Sequence, residues 1–312
     1  MMPLLRLLAV FAAFIDFGHA PRPVPPLLRG RTAAPAASDS LLLTPAQLRD
    51  RLTRGGVVVL HVGERADYNA GHIPGARFLS YDAISTPRGN GLMLEIPPAP
   101  TLDSLFESLG VSDGTRIVLY WSREWYSPTT RVFLTLDYLG LGDRTSLLDG
   151  GFEAWKAAGG AVTTEVPRVA RGTLTVRPRS DVVVDASAVR AAIGDSRVAI
   201  IDARDRRFYT GQAEGMHARE GHVPGARSLP FNTLIDDAGA FKSRAVLAQL
   251  LDSSGATADK RVIAYCHIGQ QATVVYFAAR LLGRDARLYD GSWDEWSRRM
   301  ELPVETGRAA RR

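Results

Sequence analysis

Arg261-Val262-Ile263-Ala264-Tyr265-Cys266-His267-Ile268-Gly269-Gln270-Gln271 begins as a short apolar run and breaks off at a thiol. Directly after it comes Ala272-Thr273-Val274-Val275-Tyr276-Phe277-Ala278-Ala279-Arg280-Leu281-Leu282, apolar almost throughout. The first run has the length and the β-branched and aromatic content of a buried strand, the second the length of a helix. Cys266, the only cysteine in 312 residues, therefore stands at a strand-to-helix turn. The first amides of a helix have no intrahelical partner and carry the positive end of its dipole, so a sulfur facing them is stabilised as an anion. The thiolate is the nucleophilic form, and the turn predicts a Cys266 pKa lowered from about 8.5 to about 7 or below. Gly269 lets the backbone bend around whatever the sulfur carries. A lone cysteine can also be an inert core residue; the strand, loop and helix around this one favour a reactive thiol.

Working outward, the chain repeats itself. Ala70-Gly71-His72-Ile73-Pro74-Gly75-Ala76-Arg77-Phe78-Leu79 returns as Glu220-Gly221-His222-Val223-Pro224-Gly225-Ala226-Arg227-Ser228-Leu229. The strand Arg116 to Tyr120 returns as Arg261 to Tyr265, and Leu148-Asp149-Gly150-Gly151-Phe152-Glu153-Ala154-Trp155 returns as Tyr289-Asp290-Gly291-Ser292-Trp293-Asp294-Glu295-Trp296. Matches in the same order, each about 145 residues apart, mean two copies of one domain. Within each copy apolar strands (Val57 to Val62, Ile117 to Tyr120, Val198 to Ile201) alternate with helical patterns (Thr129 to Leu139, Arg244 to Leu251). That alternation predicts an α/β fold with a parallel sheet covered by helices on both faces. In such sheets ligands bind beyond the carboxyl ends of the strands, where Cys266 stands. The boundaries expected are 40–165 for the first domain, 166–181 for a linker, 182–306 for the second domain and 307–312 for a tail.

The length suffices for two domains, and an apolar content of 46% indicates a proper core. Lys and Arg outnumber Asp and Glu 38 to 33, but the excess is spread out and partly terminal (Arg22, Arg29, Arg31, Arg308, Arg311, Arg312), so no nucleic-acid partner is expected. No metal cluster, phosphate loop or dinucleotide fingerprint is present, so neither metal nor cofactor is expected. Residues 1–20 resemble a signal peptide: Arg6, the apolar run Leu7 to Ile15, then Gly18-His19-Ala20. The run is too short to span a membrane. Residues 21–39, rich in Pro, Ala and Arg, read as a flexible linker. A periplasmic or secreted location follows, with the cytoplasm as alternative because Asp16 interrupts the leader; one cysteine allows no intramolecular disulfide to decide.

Gly-His-(Ile/Val)-Pro-Gly-Ala, the strand ending in Tyr265-Cys266 with its six-residue loop, and the closing Asp290-Gly291-Ser292-Trp293-Asp294-Glu295-Trp296 together resemble the rhodanese family of sulfurtransferases in its tandem form. The resemblance implies two rhodanese-like domains and a double displacement. The cysteine takes the outer sulfur of a small anionic donor such as thiosulfate, holds it as a persulfide and passes it to cyanide or a thiol. Cys266 matches the family's nucleophile, and the amides of His267, Ile268, Gly269, Gln270, Gln271 and Ala272 match the loop that cradles the transferred sulfur. Asp202-Ala203-Arg204 matches an Asp-x-Arg motif, so Arg204 would face the donor's anionic part. His222, Asp290, Trp293 and Trp296 read as structural.

The first copy departs from this pattern, with Trp121 in place of Cys266 and His61-Val62-Gly63 in place of Asp-x-Arg, so it is expected to be inert. Its loop, residues 121 to 127, need not line the site. In the active loop His267 and Ile268 fit neither the thiosulfate nor the mercaptopyruvate pattern of the family. His267 could be a cation near neutral pH and help hold the donor. A phosphatase of the Cys-x5-Arg type is excluded because position 272 is alanine. Two alternatives remain, a mercaptopyruvate-specific enzyme and a persulfide carrier serving an acceptor protein.

Overall fold

The computed structural model describes residues 41–87, 91–92, 94–213 and 216–307. The expected signal peptide, the linker at 21–39 and residues 308–312 of the tail lie outside them. The first repeat carries strands β1 (Leu42–Leu43), β2 (Val57–Val62), β3 (Arg77–Leu79), β4 (Arg116–Trp121) and β5 (Thr145–Leu148), the second β6 (Val183–Val184), β7 (Val198–Asp202), β8 (Arg227–Ser228), β9 (Arg261–Tyr265) and β10 (Ala286–Tyr289). Their orders, β1-β5-β4-β2-β3 and β6-β10-β9-β7-β8, are the same topology twice, and every pairing is parallel. Helices α1 (Pro45–Arg54), α2 (Arg65–Ala70), α3 (Ala99–Ser108), α4 (Tyr126–Tyr138) and α5 (Gly151–Ala157) belong to the first sheet. Those of the second are α6 (Ala186–Ala192), α7 (Arg206–Thr210), α8 (Arg244–Ser253), α9 (Ala272–Leu281) and α10 (Ser292–Arg298). The α/β fold expected from the alternation is thus present in both copies. The short strands β1, β3, β6 and β8 escaped the sequence reading because two or three residues leave no period to detect.

Side-chain alternation sorts each sheet into two faces. Ile117, Leu119 and Trp121 of β4 join Val262, Ala264 and Cys266, at and just after β9, in one core that both repeats share. Val118 and Tyr120 face an outer core of the first repeat, Ile263 and Tyr265 an outer core of the second. The shared core is sealed where α4 meets α9, with Phe133 edge-on to Phe277 at 4.8 Å between ring centroids. Each fully buried side chain of that size contributes about 1.5–3 kcal/mol. Both helices are buried on most sides between the two sheets; α9 is apolar almost throughout, whereas α4 buries Thr129, Thr130, Arg131, Thr135 and Asp137 among its apolar residues. Asp137 on α4 is the polar clasp of this interface. It accepts hydrogen bonds from Tyr276 Oη (2.6 Å), Arg280 Nε (2.7 Å) and Arg179 Nη1 (2.7 Å).

The repeated Gly-His-x-Pro-Gly-Ala segments do the same structural task twice. His72 Nδ1 bonds the Tyr68 carbonyl at 2.8 Å, and His222 Nδ1 the Tyr209 carbonyl at 2.7 Å, each imidazole stacked on that tyrosine. Tyr120 Oη then accepts from the Ile73 amide, and Tyr265 Oη from the Val223 amide. His222 is buried inside this turn.

Candidate active site

Cys266 follows the last residue of β9 and is fully buried. Its amide donates to Ser292 Oγ at 3.1 Å, and its carbonyl accepts from the Trp293 amide at 3.0 Å, so the start of α10 holds the turn from behind. Ser292 takes a left-handed φ of 50°, uncommon for a residue with a side chain. The amides of Ile268, Gly269, Gln271 and Ala272 point at the sulfur. Gly269 is required: its φ is +78°, and a Cβ there would stand 2.6 Å from Asp290 Oδ1. Gln270 Nε2 donates to Ser127 Oγ at 3.0 Å, Ile268 packs against the shared core, and Gln271 Oε1 is buried without a hydrogen-bond partner among the described residues.

The expectation of a lowered thiol pKa is corrected. Burial pushes the Cys266 thiol up from its ordinary value, and the four amides only partly offset it. The cations within electrostatic reach of it, Arg131 and Arg204, are each already paired with a carboxylate. Arg204 grips Asp202 through Nε (3.0 Å) and Nη2 (2.6 Å), donates from Nη2 to the Gly221 carbonyl, and lies over the Trp293 ring at 4.5 Å. Asp202 also accepts from Tyr265 Oη at 2.7 Å. Of the Arg204 donors Nη1 alone has no partner, so the motif seen in the sequence is first a buried structural pair. A pH series checks the thiol. The rate of Cys266 modification should keep rising with pH through neutrality, without levelling off below the ordinary thiol value of about 8.5; a plateau below pH 7 would refute it.

The reading of His267 as a part-time cation is also corrected. Burial, with Arg204 and His217 beside it, lowers its pKa to about 4, so it is neutral at pH 7. Its Nδ1 lies 2.7 Å from Nε2 of His217, whose pKa is likewise lowered to about 4, and Phe208 meets its ring edge-on.

Sequence reasoning missed what the first repeat contributes. Arg131, on α4, is fully buried and pairs with Asp290 at 2.5 Å. It also donates to the Gly269 carbonyl at 3.2 Å and the Leu94 carbonyl at 3.0 Å, while its Nε has no partner. The one available signal was an arginine in a helix with few other charges, followed directly by the apolar run Val132-Phe133-Leu134. Asp290, read as structural, also accepts from the Ile96 amide at 3.0 Å; its counterpart Asp149 accepts from the Phe241 amide at 2.9 Å. Each repeat thus anchors a loop of the other at the same position. A cavity of about 760 Å³ over the first repeat's own loop is lined by Gly63, Tyr81, Leu94, Trp125 and Ser127 among others, and Gln270 of the second repeat forms part of its wall.

In the first repeat an indole takes the place of the thiol. Register places His61 opposite Tyr120 and Asp202 opposite Tyr265, which confirms that His61-Val62-Gly63 stands where the second repeat has Asp202-Ala203-Arg204. Trp121 is buried, and a Cβ on Gly151 would lie 2.5 Å from its carbonyl oxygen and 2.9 Å from its indole. The second repeat has room for Ser292 at that place because a cysteine replaces the indole. Among the described residues no group of three His, Cys, Asp or Glu could hold a metal, and no helix is long and apolar enough to cross a membrane.

The sequence profile of the rhodanese-like domain matches residues 44–158 and again 185–299. The chain is 31% identical over 272 residues to the thiosulfate sulfurtransferase of Azotobacter vinelandii, covering 86% of this chain and 98% of that one. It is 33% identical over 285 residues to a probable 3-mercaptopyruvate sulfurtransferase of Pseudomonas aeruginosa (86% and 99%). It is 29% identical over 286 residues to the sulfur carrier protein TtuD of Thermus thermophilus (87% and 98%). With two matched domains, a thiol at the strand-to-helix turn of the second and relatives aligned along nearly their whole length, the chain belongs to the rhodanese family of sulfurtransferases.

Proposed function

We propose that the protein moves a sulfane sulfur from a small anionic donor, thiosulfate, to cyanide or a thiol through a persulfide on Cys266. The Cys266 thiolate attacks the outer sulfur of thiosulfate, the S–S bond of the donor breaks, and its electron pair leaves with sulfite. Cyanide then takes the terminal sulfur as thiocyanate and returns the thiolate.

One observation carries this reading: buried donors without a partner surround a buried thiol. Arg131 Nε and Arg204 Nη1 both lack hydrogen bonds among the described residues, and both guanidinium groups lie within electrostatic reach of Cys266. Four loop amides face the same sulfur. Buried polar groups are normally satisfied, so unsatisfied donors around a nucleophile suit a small anion that completes them. In a dry site such donors stabilise the charge that develops as the S–S bond breaks.

The test is thiocyanate production from cyanide, with thiosulfate and 3-mercaptopyruvate compared side by side, in the protein and in Cys266→Ser. Cysteine-dependent turnover with thiosulfate supports the proposal, and turnover with mercaptopyruvate alone changes the donor. Mass spectrometry should show a single addition of about 32 Da on donor treatment, abolished in Cys266→Ala. The same addition without turnover would favour a carrier role, which the resemblance to TtuD motivates.

A further inference from the structure

The second repeat places Phe231 where the first places Tyr81: each begins a 3-10 turn (Tyr81–Ile84, Phe231–Leu234) just after the equivalent strand. Each ring reaches toward the other repeat. Phe231 meets Tyr126, within the first repeat's loop, at 6.0 Å between centroids. Tyr81 lies in the shared core, lines the first repeat's cavity that Gln270 of the second repeat also reaches, and is within electrostatic reach of Cys266, Arg131 and Asp290. Packing at this position is thus met by a phenyl ring in one repeat. Only the copy directed at the thiol carries a hydroxyl.

That hydroxyl is buried and has no hydrogen-bond partner among the described residues. Ser85 stands near it, donating to the Tyr81 carbonyl at 3.1 Å, but makes no bond of full hydrogen-bond geometry with the hydroxyl. Hiding an unsatisfied hydroxyl is unfavourable, so its presence calls for a ligand that the protein alone does not contain. We propose that Tyr81, supplied by the otherwise inert repeat, donates a hydrogen bond to the anionic group of the sulfur donor seated over Cys266. Burial pushes the Tyr81 hydroxyl up to about 12, so it remains a donor throughout the neutral range.

The inference rests on the sulfur-transfer reading, and its test separates the two. Thiosulfate binding is measured by calorimetry on Cys266→Ser, which cannot turn over, and on Cys266→Ser with Tyr81→Phe. A hydrogen bond to a charged group predicts a Kd raised about tenfold to a hundredfold by the second substitution. In the otherwise native protein Tyr81→Phe should lower kcat/KM for thiosulfate by a similar factor with no fall in thermal midpoint, because the phenyl ring is what the other repeat already uses. An unchanged Kd, or no thiosulfate binding to either variant, overturns the assignment; so does a lowered midpoint with unchanged binding, which would make the hydroxyl structural. Failure of sulfur transfer itself is read separately, as absence of cysteine-dependent thiocyanate production.

Discussion

Arg131→Met is expected to lower the unfolding free energy by about 3–5 kcal/mol, the cost of leaving one partner of a buried ion pair unpaired. Arg131 is fully buried on α4, and three acceptors depend on it: Asp290, the Gly269 carbonyl and the Leu94 carbonyl. Two of them belong to the second repeat, so the loss reaches the interface as well as the helix. Methionine keeps most of the volume and fills the space without charge. Equilibrium urea unfolding gives the number, and a double-mutant cycle with Asp290→Leu apportions it. The double variant should recover part of the loss, because an apolar pair removes the buried unpaired charge yet leaves two carbonyls without their donor. A single-variant loss below about 1 kcal/mol would mean that the pair holds nothing together. Sulfur transfer should fall too, since Gly269 loses the contact that fixes the loop around Cys266.

The second large effect is loss of stability in mild acid, before most carboxylates titrate. Burial lowers the pKa of His61 to about 4; Asp67 opposes the shift, and His72 adds to it. His61 is fully buried, with Nδ1 3.1 Å from Tyr120 Oη and Nε2 3.4 Å from Ser122 Oγ. His217 and His267 are lowered to about 4 as well. A folded pKa below the unfolded value of about 6.5 means that the unfolded chain takes up protons first as the pH falls. The stabilisation is therefore whole above about pH 6.5 and is lost progressively toward pH 4. His61 accounts for no more than about 3 kcal/mol, and the half-buried pair, discounted for solvent, for about 1 kcal/mol each. Asp195, lowered to about 2, acts only below this window. Urea midpoints measured from pH 7.5 to 4 should fall steeply below 6.5, and His61→Gln should remove the largest share of the slope. A flat profile down to pH 4.5 would contradict the assignment of neutral buried histidines.

How far the site was legible depends on the range of each interaction. The strand Arg261–Tyr265 and the helix from Ala272 were readable because periodicity and length are local properties, and the structure returns the same strand and a helix ending one residue earlier. The lack of a thiol in the first repeat was readable for the same reason, since one residue, Trp121, stands at the position of Cys266. Arg204 was picked out by its motif, yet the motif could not say that Asp202 holds its Nε and one amino group and leaves Nη1 alone. His267 was misjudged because its charge depends on burial and on His217, fifty residues earlier in the chain.

The sequence by itself determined the α/β class, the duplication and the place of the lone thiol at a strand-to-helix turn, because alternating apolar runs and a repeated order of motifs are recorded along the chain. Only the tertiary structure decided the electrostatics of the site. The raised thiol, the neutral His267, the Arg131 to Asp290 bond and the unpartnered Tyr81 hydroxyl all arise where residues from two repeats exclude water together. Desolvation is a property of what surrounds a group in space, and no stretch of one repeat contains what the other places around it.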